Sequence, residues 1–335
     1  MKILITGGAG FIGSQLGRRL SMLGHEVTLV DNLSFGYLDN LVVDGVVPRN
    51  FVCRDIRDGE LANEMAGKEI VFHFAGISSL PVCEQNPAAA YDINVVGTAN
   101  VLDLARRAGV GRVVFSSTSA VYENNQADKF CEADPVSPDL TYASTKAVGE
   151  SICRSYAKNY GLDVVVARFF NVYGAHQDIR RVSPPFTSYV ARQMVLNQPL
   201  VLFNKSEATR DYVYSEDLLD ALTHMAFSAN VYRGEVFNLC SGKGYSVPDL
   251  LKLMTEITSF RGEITWSDPN TFWDKYPDLF TGEYRFDRSR IAKEVHKSAI
   301  GDPTKTLAEF GWKAETPIEK GLDAVIEYAR RLVPA

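Results

Sequence analysis

Cysteine is scarce in this 335-residue chain, with five spread over Cys53, Cys83, Cys131, Cys153 and Cys240 and no Cys-x-x-Cys pair. That excludes a disulfide framework and a cysteine-built zinc ribbon, and reads as reduced thiols packed as small apolar residues. The five histidines show no His-x-x-x-His spacing, so no metal is expected. No stretch approaches the roughly 20 consecutive apolar residues of a membrane span. Neither charge dominates: 35 basic residues face 41 acidic ones, and the basic ones are scattered. Nucleic acid and membrane are therefore poor candidates for the main partner. Met1-Lys2 leads at once into Ile3-Leu4-Ile5, a strand rather than a leader, so the expected compartment is the cytoplasm.

What is present is alternation. Strand-like runs at Lys2–Ile5, Glu26–Val30, Phe51–Cys53, Ile70–Phe74, Arg112–Ser116 and Val164–Arg168 are separated by helical stretches. The longest of these stretches run from Gly10 to Leu23, from about Pro87 to Ala108, and from Tyr142 to Tyr160. Such alternation builds a parallel sheet covered on both faces. The expected fold is α/β, a Rossmann-type doubly wound parallel sheet with a smaller C-terminal substrate-binding lobe. After about Phe170 the pattern is less regular, with helices expected at Thr187–Leu196, Ser215–Phe227, Pro248–Thr258 and Ile318–Leu332. We divide the chain into residues 1–170, a nucleotide domain, and 171–335, a substrate lobe interleaved with the sheet.

Thr6-Gly7-Gly8-Ala9-Gly10-Phe11-Ile12-Gly13 sits between the first strand and the first helix. Glycines at 7, 10 and 13 permit a tight turn, close backbone approach to a pyrophosphate, and close packing of helix on sheet. The helix N-terminus adds free N–H groups and partial positive charge. Asp31 ends the second strand, where a carboxylate accepts from ribose hydroxyls or simply ends a strand in a turn. In the first role it repels a 2′-phosphate, which favours NAD over NADP. Asp55-Ile56, after the third strand, is placed to meet the adenine.

Tyr142 precedes Lys146 by four residues, which puts both on one helix face. An ammonium beside a positively charged nicotinamide ring favours phenolate over phenol. A tyrosine of ordinary pKa about 10 then becomes a usable base. Isolated, such a pair is usually plain helix surface; the nucleotide loop in the same chain gives it meaning.

With these residues in hand, the chain resembles the extended short-chain dehydrogenase/reductases of the nucleotide-sugar epimerase/dehydratase group, nearly end to end. The resemblance is carried by Thr6–Gly13, Asp31-Asn32-Leu33, His73-Phe74-Ala75-Gly76, Asn94-Val95-Val96-Gly97-Thr98, Ser116-Ser117-Thr118 and Tyr142–Lys146. It continues through Arg168–Gly174, Thr209-Arg210-Asp211-Tyr212 and Gly301–Lys305. It implies NAD contacts from Gly7, Gly10, Phe11, Ile12, Asp31, Asn32, Asp55, Ile56, Phe74, Ala75, Gly76, Asn94, Ser116, Tyr142, Lys146 and Phe169. It also implies catalytic roles for Thr118, Tyr142 and Lys146, and substrate contacts from Thr118, Asn171 and Arg210. A hydroxyl satisfied by backbone is the plainer reading of Thr118, and an ion pair with Asp211 that of Arg210. A homodimer is implied through helices Pro87–Ala108 and Tyr142–Tyr160, where Val95, Ala99, Leu102 and Ala105 suit either an interface or packing on the sheet.

The family shares one opening step, removal of the sugar 4-hydroxyl proton by the tyrosine with hydride transfer from C4. Dehydratases of the family add an Asp-Glu pair, and decarboxylases a glutamate, where this chain has Ser119 and Ala120. A 4-epimerase needs neither, so the expected activity is an NAD-dependent 4-epimerase of a UDP-hexose or UDP-hexuronate. The alternatives are a 4,6-dehydratase or UDP-glucuronate decarboxylase of the same family, a ketone reductase, and a non-catalytic NAD sensor. Glu123 replaces the family's usual glycine, as a solvated loop residue or one facing the sugar. Cys83 replaces a usual serine, lining the sugar pocket or packing. The long aromatic stretch from Phe272 to Ile300 holds Arg288 and Arg290 as further phosphate candidates.

Overall fold

The aliphatic runs Ile3-Leu4-Ile5, Ile70-Val71-Phe72 and Val164-Val165-Val166 are buried on both faces, as strands sandwiched between helix layers must be. The computed structural model describes residues 1–42, 45–203 and 205–332. Its strands in chain order are β1 (Lys2–Thr6), β2 (Glu26–Asp31), β3 (Phe51–Cys53), β4 (Ile70–His73), β5 (Arg112–Thr118) and β6 (Val164–Phe169). There follow β7 (Asn171–Tyr173), β8 (Leu200–Leu202), β9 (Arg210–Tyr214), β10 (Glu235–Leu239), β11 (Gly244–Tyr245) and β12 (Ile264–Trp266).

Seven strands form one parallel sheet in the order β10-β6-β5-β4-β1-β2-β3. The order reverses between β1 and β4, and the crevice at the carboxyl ends of those strands is where such sheets hold ligands. Helices Phe11–Met22 and Ser215–Phe227 contribute Leu16, Leu20, Leu218, Leu222 and Met225 to the apolar core on one face. The helices around Val101–Ala105 and Cys153 cover the other.

The expected helix over Pro87–Ala108 is interrupted. It runs as Pro87–Tyr91, a π turn at Asp92–Val96, then Gly97–Arg107. A π turn inserts one residue and re-aims the side chains around it; here the residue re-aimed is Asn94. Leu102 and Ala105 are buried against the sheet, which removes them from any interface on this helix.

β10 lies beside β6 in the main sheet, with Val236 opposite Val166, although it comes late in the chain. The remaining chain builds a second core from helices Phe186–Val195, Val247–Thr258 and Ile318–Leu332. Beside it, β7, β9 and β11 form a small sheet, and β8 pairs with β12. The aromatic stretch forms a core of its own, in which Trp273, Tyr276, Leu279 and Ile291 pack with Leu80.

Candidate active site

A cleft of about 850 Å³ runs along the carboxyl ends of β1, β4, β5 and β6 and into the C-terminal lobe. Its floor begins at the glycine turn. Gly7 has φ +70°, and a Cβ there would lie 2.8 Å from the Ala75 nitrogen. At Gly13 a Cβ would meet the Gly7 carbonyl oxygen at 2.2 Å, so helix and turn approach as only glycine permits. Gly10 caps the first helix with no side-chain acceptor, and the first intrahelical bond runs from the Ser14 N–H to the Gly10 carbonyl at 3.1 Å. The amides of Phe11, Ile12 and Gly13, which line the cleft, are left for an anion. A pyrophosphate fits that cradle.

Asp31 closes this end. Its carboxylate accepts from the amides of Leu33 at 2.8 Å and Ala9 at 3.1 Å. Burial pushes its pKa up while those two amides pull it back. Asn32 donates to Asp55 at 2.8 Å, and Arg57 holds the Asp55 carboxyl down at about 2. Asp55 is therefore a fixed anion at this end of the cleft.

The far end belongs to the helix Thr141–Tyr160, which carries Tyr142, Lys146 and Glu150 on one face. Lys146 is buried and donates to the Ser116 carbonyl at 2.8 Å; burial lowers its pKa to about 8. Burial likewise pushes Tyr142 up to about 12, with the Thr118 hydroxyl and then the Arg181 charge pulling the other way. Thr118 Oγ accepts from the Ala120 N–H at 3.2 Å, so its own proton remains to be donated to Tyr142. Glu150 is fully buried, gripped by both arms of Arg168 at 2.8 and 2.7 Å and by the Ser117 hydroxyl at 2.6 Å. Arg168 also donates to the Tyr122 hydroxyl at 2.5 Å. This network seats β5 and β6 directly beneath Thr118.

Of the residues singled out in the sequence, Gly7, Gly10, Phe11, Ile12, Asp31, Asn32, Asp55, Ile56, Phe74, Ala75 and Gly76 line the cleft, as do Ser116, Thr118, Tyr142, Lys146, Phe169 and Asn171. Asn94 and Arg210 are not among its lining residues. Asn94 is buried and exchanges two hydrogen bonds with Ile77, at 2.8 and 3.0 Å, while donating to Thr145 at 3.0 Å. It braces the loop after β4 against the Tyr142 helix. Arg210 instead donates to the Glu294 carbonyl at 2.6 Å, drawn by the last turn of helix Ser289–His296, whose carbonyls lack intrahelical donors. Asp211 is not its partner either, because that buried carboxylate accepts from Ser241, Gly242 and Gly301.

Two further expectations change, at Glu123 and at Arg288 and Arg290, while Cys83 takes the packing role already weighed for it. Glu123 neither faces solvent nor lines the cleft: it is buried and accepts from the amides of Asp139 at 2.6 Å and Leu140 at 2.8 Å. Cys83 is fully buried beside Ile77 and Ala90, with its thiol pushed up to about 12 by burial, so it packs. Arg288 pairs with Asp274 and Arg290 with Asp139, away from the cleft. Conversely, Arg181, Ser183 and Gln177 line the cleft without having been singled out, and Tyr276 lines it from the aromatic stretch. The loop that holds Arg181 carries no spacing signal.

The sequence profile of the NAD dependent epimerase/dehydratase family matches residues 3–240. The UDP-glucose 4-epimerase of Mycolicibacterium smegmatis is 31% identical over 98% of this chain and 99% of its own. UDP-glucuronic acid decarboxylase 1 of Xenopus tropicalis is also 31% identical, over 98% of this chain and 72% of its own. The crystal structure of the Thermotoga maritima UDP-glucose 4-epimerase with UDP-glucose superposes with a TM-score of 0.85, at 30% identity over 99% of both chains. With its glycine cradle, its Asp31 and its Tyr142–Lys146 helix, this chain belongs to the NAD dependent epimerase/dehydratase family of enzymes.

Proposed function

We infer that the protein is an NAD-dependent nucleotide-sugar 4-epimerase acting on a UDP-sugar. One observation carries the choice within the family. Of the carboxylate positions near Tyr142, the chain has Ser119 and Ala120 where dehydratases and decarboxylases hold acids, and Glu123 is tied to the amides of Asp139 and Leu140. Among the described residues, nothing from 116–123 offers a carboxylate to a bound sugar. Loss of water from C5–C6, or management of a carboxyl group as a leaving group, then has no acid or base from that segment. Inversion at C4 needs none.

The roles follow from the geometry. Tyr142 takes the 4-hydroxyl proton and later returns it, with Thr118 donating to the phenolate. Lys146, anchored on the Ser116 carbonyl, adds positive charge on the same helix face. When bound, NAD would accept a hydride from C4 and give it back to the opposite face. The amides of Phe11 and Ile12 would hold its pyrophosphate and Asp31 its ribose, while Phe74, Ala75, Gly76, Ser116 and Phe169 wall the remainder. Asn171, whose amide donates to the Asp211 carbonyl at 3.2 Å, would meet the nucleotide sugar.

Three further features belong to the same reading. Tyr91, Val96, Val148 and Tyr160 are exposed on helix Pro87–Tyr91, the π turn Asp92–Val96 and helix Thr141–Tyr160, which supports a homodimer through those elements. The five free thiols suit a reducing cytoplasm. Division into a nucleotide domain and a substrate lobe, with β10 and helix Ser215–Phe227 returned to the main sheet, is proposed on the separate cores.

The test is proton NMR in D2O with UDP-glucose, UDP-N-acetylglucosamine and UDP-glucuronate, each alone. Inversion at C4 without deuterium uptake is expected. A 4-keto-6-deoxy product carrying deuterium, or a pentose product, would replace this reading with dehydratase or decarboxylase. The second is the reading favoured by the Xenopus tropicalis relative.

A further inference from the structure

Arg181 lines the cleft in an unusual position for a cation. Its backbone N–H and that of Arg180 donate to Asp178 Oδ1, at 3.3 and 2.9 Å. Its Nε donates to the Ser183 carbonyl at 2.6 Å, and the Ser183 hydroxyl bonds the Tyr276 hydroxyl at 2.5 Å. The loop is thus pinned to the aromatic stretch, and the guanidinium is aimed by its own backbone. Its two terminal nitrogens make no hydrogen bond or ion pair among the described residues. Asp178, the nearest carboxylate in charge, is occupied by those amides and by the Tyr37 hydroxyl at 3.5 Å.

A half-buried guanidinium whose terminal nitrogens meet no acceptor is costly unless a ligand supplies one. Arg181 lines the same cleft as Tyr142 and Tyr276. Tyr142 would act on the sugar at C4, whose ring neighbours are C3, bearing a hydroxyl, and C5, the one of the two whose substituent can be a carboxylate. The diphosphate of the substrate lies beyond C1, on the other side of the ring. A neutral hydroxymethyl group would leave the guanidinium unpaired; a carboxylate matches its planar fork.

Resting on the nucleotide-sugar reading above, we propose that Arg181 binds a carboxylate carried by the sugar, so that the preferred substrates are nucleotide-linked hexuronates. Arg181 is the specificity-determining residue, and Ser183 and Tyr276 position it.

The experiment is calorimetric titration of the NAD-loaded enzyme with UDP-glucuronate, UDP-glucose and UDP, with C4 inversion followed on the same samples. The expected result is that UDP-glucuronate binds roughly 10- to 150-fold tighter than UDP-glucose, the range of a hydrogen bond to a charged group. Arg181→Gln should bring the affinity for UDP-glucuronate down to that for UDP-glucose. Arg181→Lys should restore part of the difference, as a point charge without the fork. Equal affinities in the wild-type enzyme would overturn the proposal, and that comparison needs no variant to fold. An equal loss for UDP and UDP-glucuronate in Arg181→Gln would also overturn it, assigning the guanidinium to the diphosphate. Tight uronate binding without C4 inversion would sink the epimerase reading and leave this one standing. C4 inversion with a preference for UDP-glucose would do the reverse.

Discussion

Glu84 grips Thr141 twice, accepting from its backbone N–H at 2.7 Å and from its hydroxyl at 2.9 Å, one residue before Tyr142. The helix that carries Tyr142 begins at Thr141, and its N-cap residue Leu140 supplies no side-chain cap. Its first amides are satisfied instead by two carboxylates from elsewhere, Glu84 and Glu123, which also suit the positive end of the helix dipole.

That arrangement makes Glu84 a positioning residue. Glu84→Leu should destabilise the fold by about 1–2 kcal/mol and lower kcat more than it raises KM. Glu84→Gln, which still accepts from the amide, should recover most of both. Denaturant unfolding and steady-state kinetics decide it, and an unchanged kcat in the leucine variant would count against the role.

Asn94→Ala should free the loop after β4. Removing the amide leaves the Ile77 N–H and carbonyl without their partners, worth about 1–3 kcal/mol locally. Hydrogen exchange at Ile77 should accelerate in the variant, and NAD should be retained less well through purification. Unaltered exchange would show that the loop is held by something else.

The Glu150–Arg168 pair should behave as a unit. Cutting either partner alone strands a buried charge and should cost about 3–5 kcal/mol, whereas replacing both with apolar residues should cost much less. A double-mutant cycle of Glu150→Leu and Arg168→Met measures the coupling. Additive losses would mean that the two charges act independently.

His73 gives the pH dependence a definite sign. It is buried, with its pKa lowered to about 3 by burial and by the Lys146 charge. Thr98 donates its hydroxyl proton to the Asn94 carbonyl at 2.6 Å, so His73 Nε2 must donate to Thr98 Oγ at 3.0 Å. Nδ1 then accepts from Thr6 Oγ at 2.8 Å. The unfolded chain binds a proton near pH 6.5 that the folded one refuses until about pH 3. Stability from this group is therefore complete above pH 6.5 and falls toward pH 3, by up to about 1.4 kcal/mol per pH unit. A His73→Gln variant should show a shallower acid slope in denaturant melts between those limits. An equal slope would place the acid sensitivity elsewhere.

The short-range features were legible in the sequence because each lies within one turn or one helix. The glycine spacing set the cradle at Gly7–Gly13, and the four-residue interval set Tyr142 and Lys146 on one face. The apolar runs set the buried strands. What the chain does over long distances was decided only by the tertiary structure. Glu84 meets Thr141 across 57 residues and Arg210 meets Glu294 across 84. The same is true of β10, whose five residues gave no sign of joining the sheet beside β6. Periodicity governs which side chains share a face, but it carries no information about which faces are brought together. For that reason Glu123, read as solvated or sugar-facing, is a buried cap, and Arg181, in a loop without periodicity, lines the cleft.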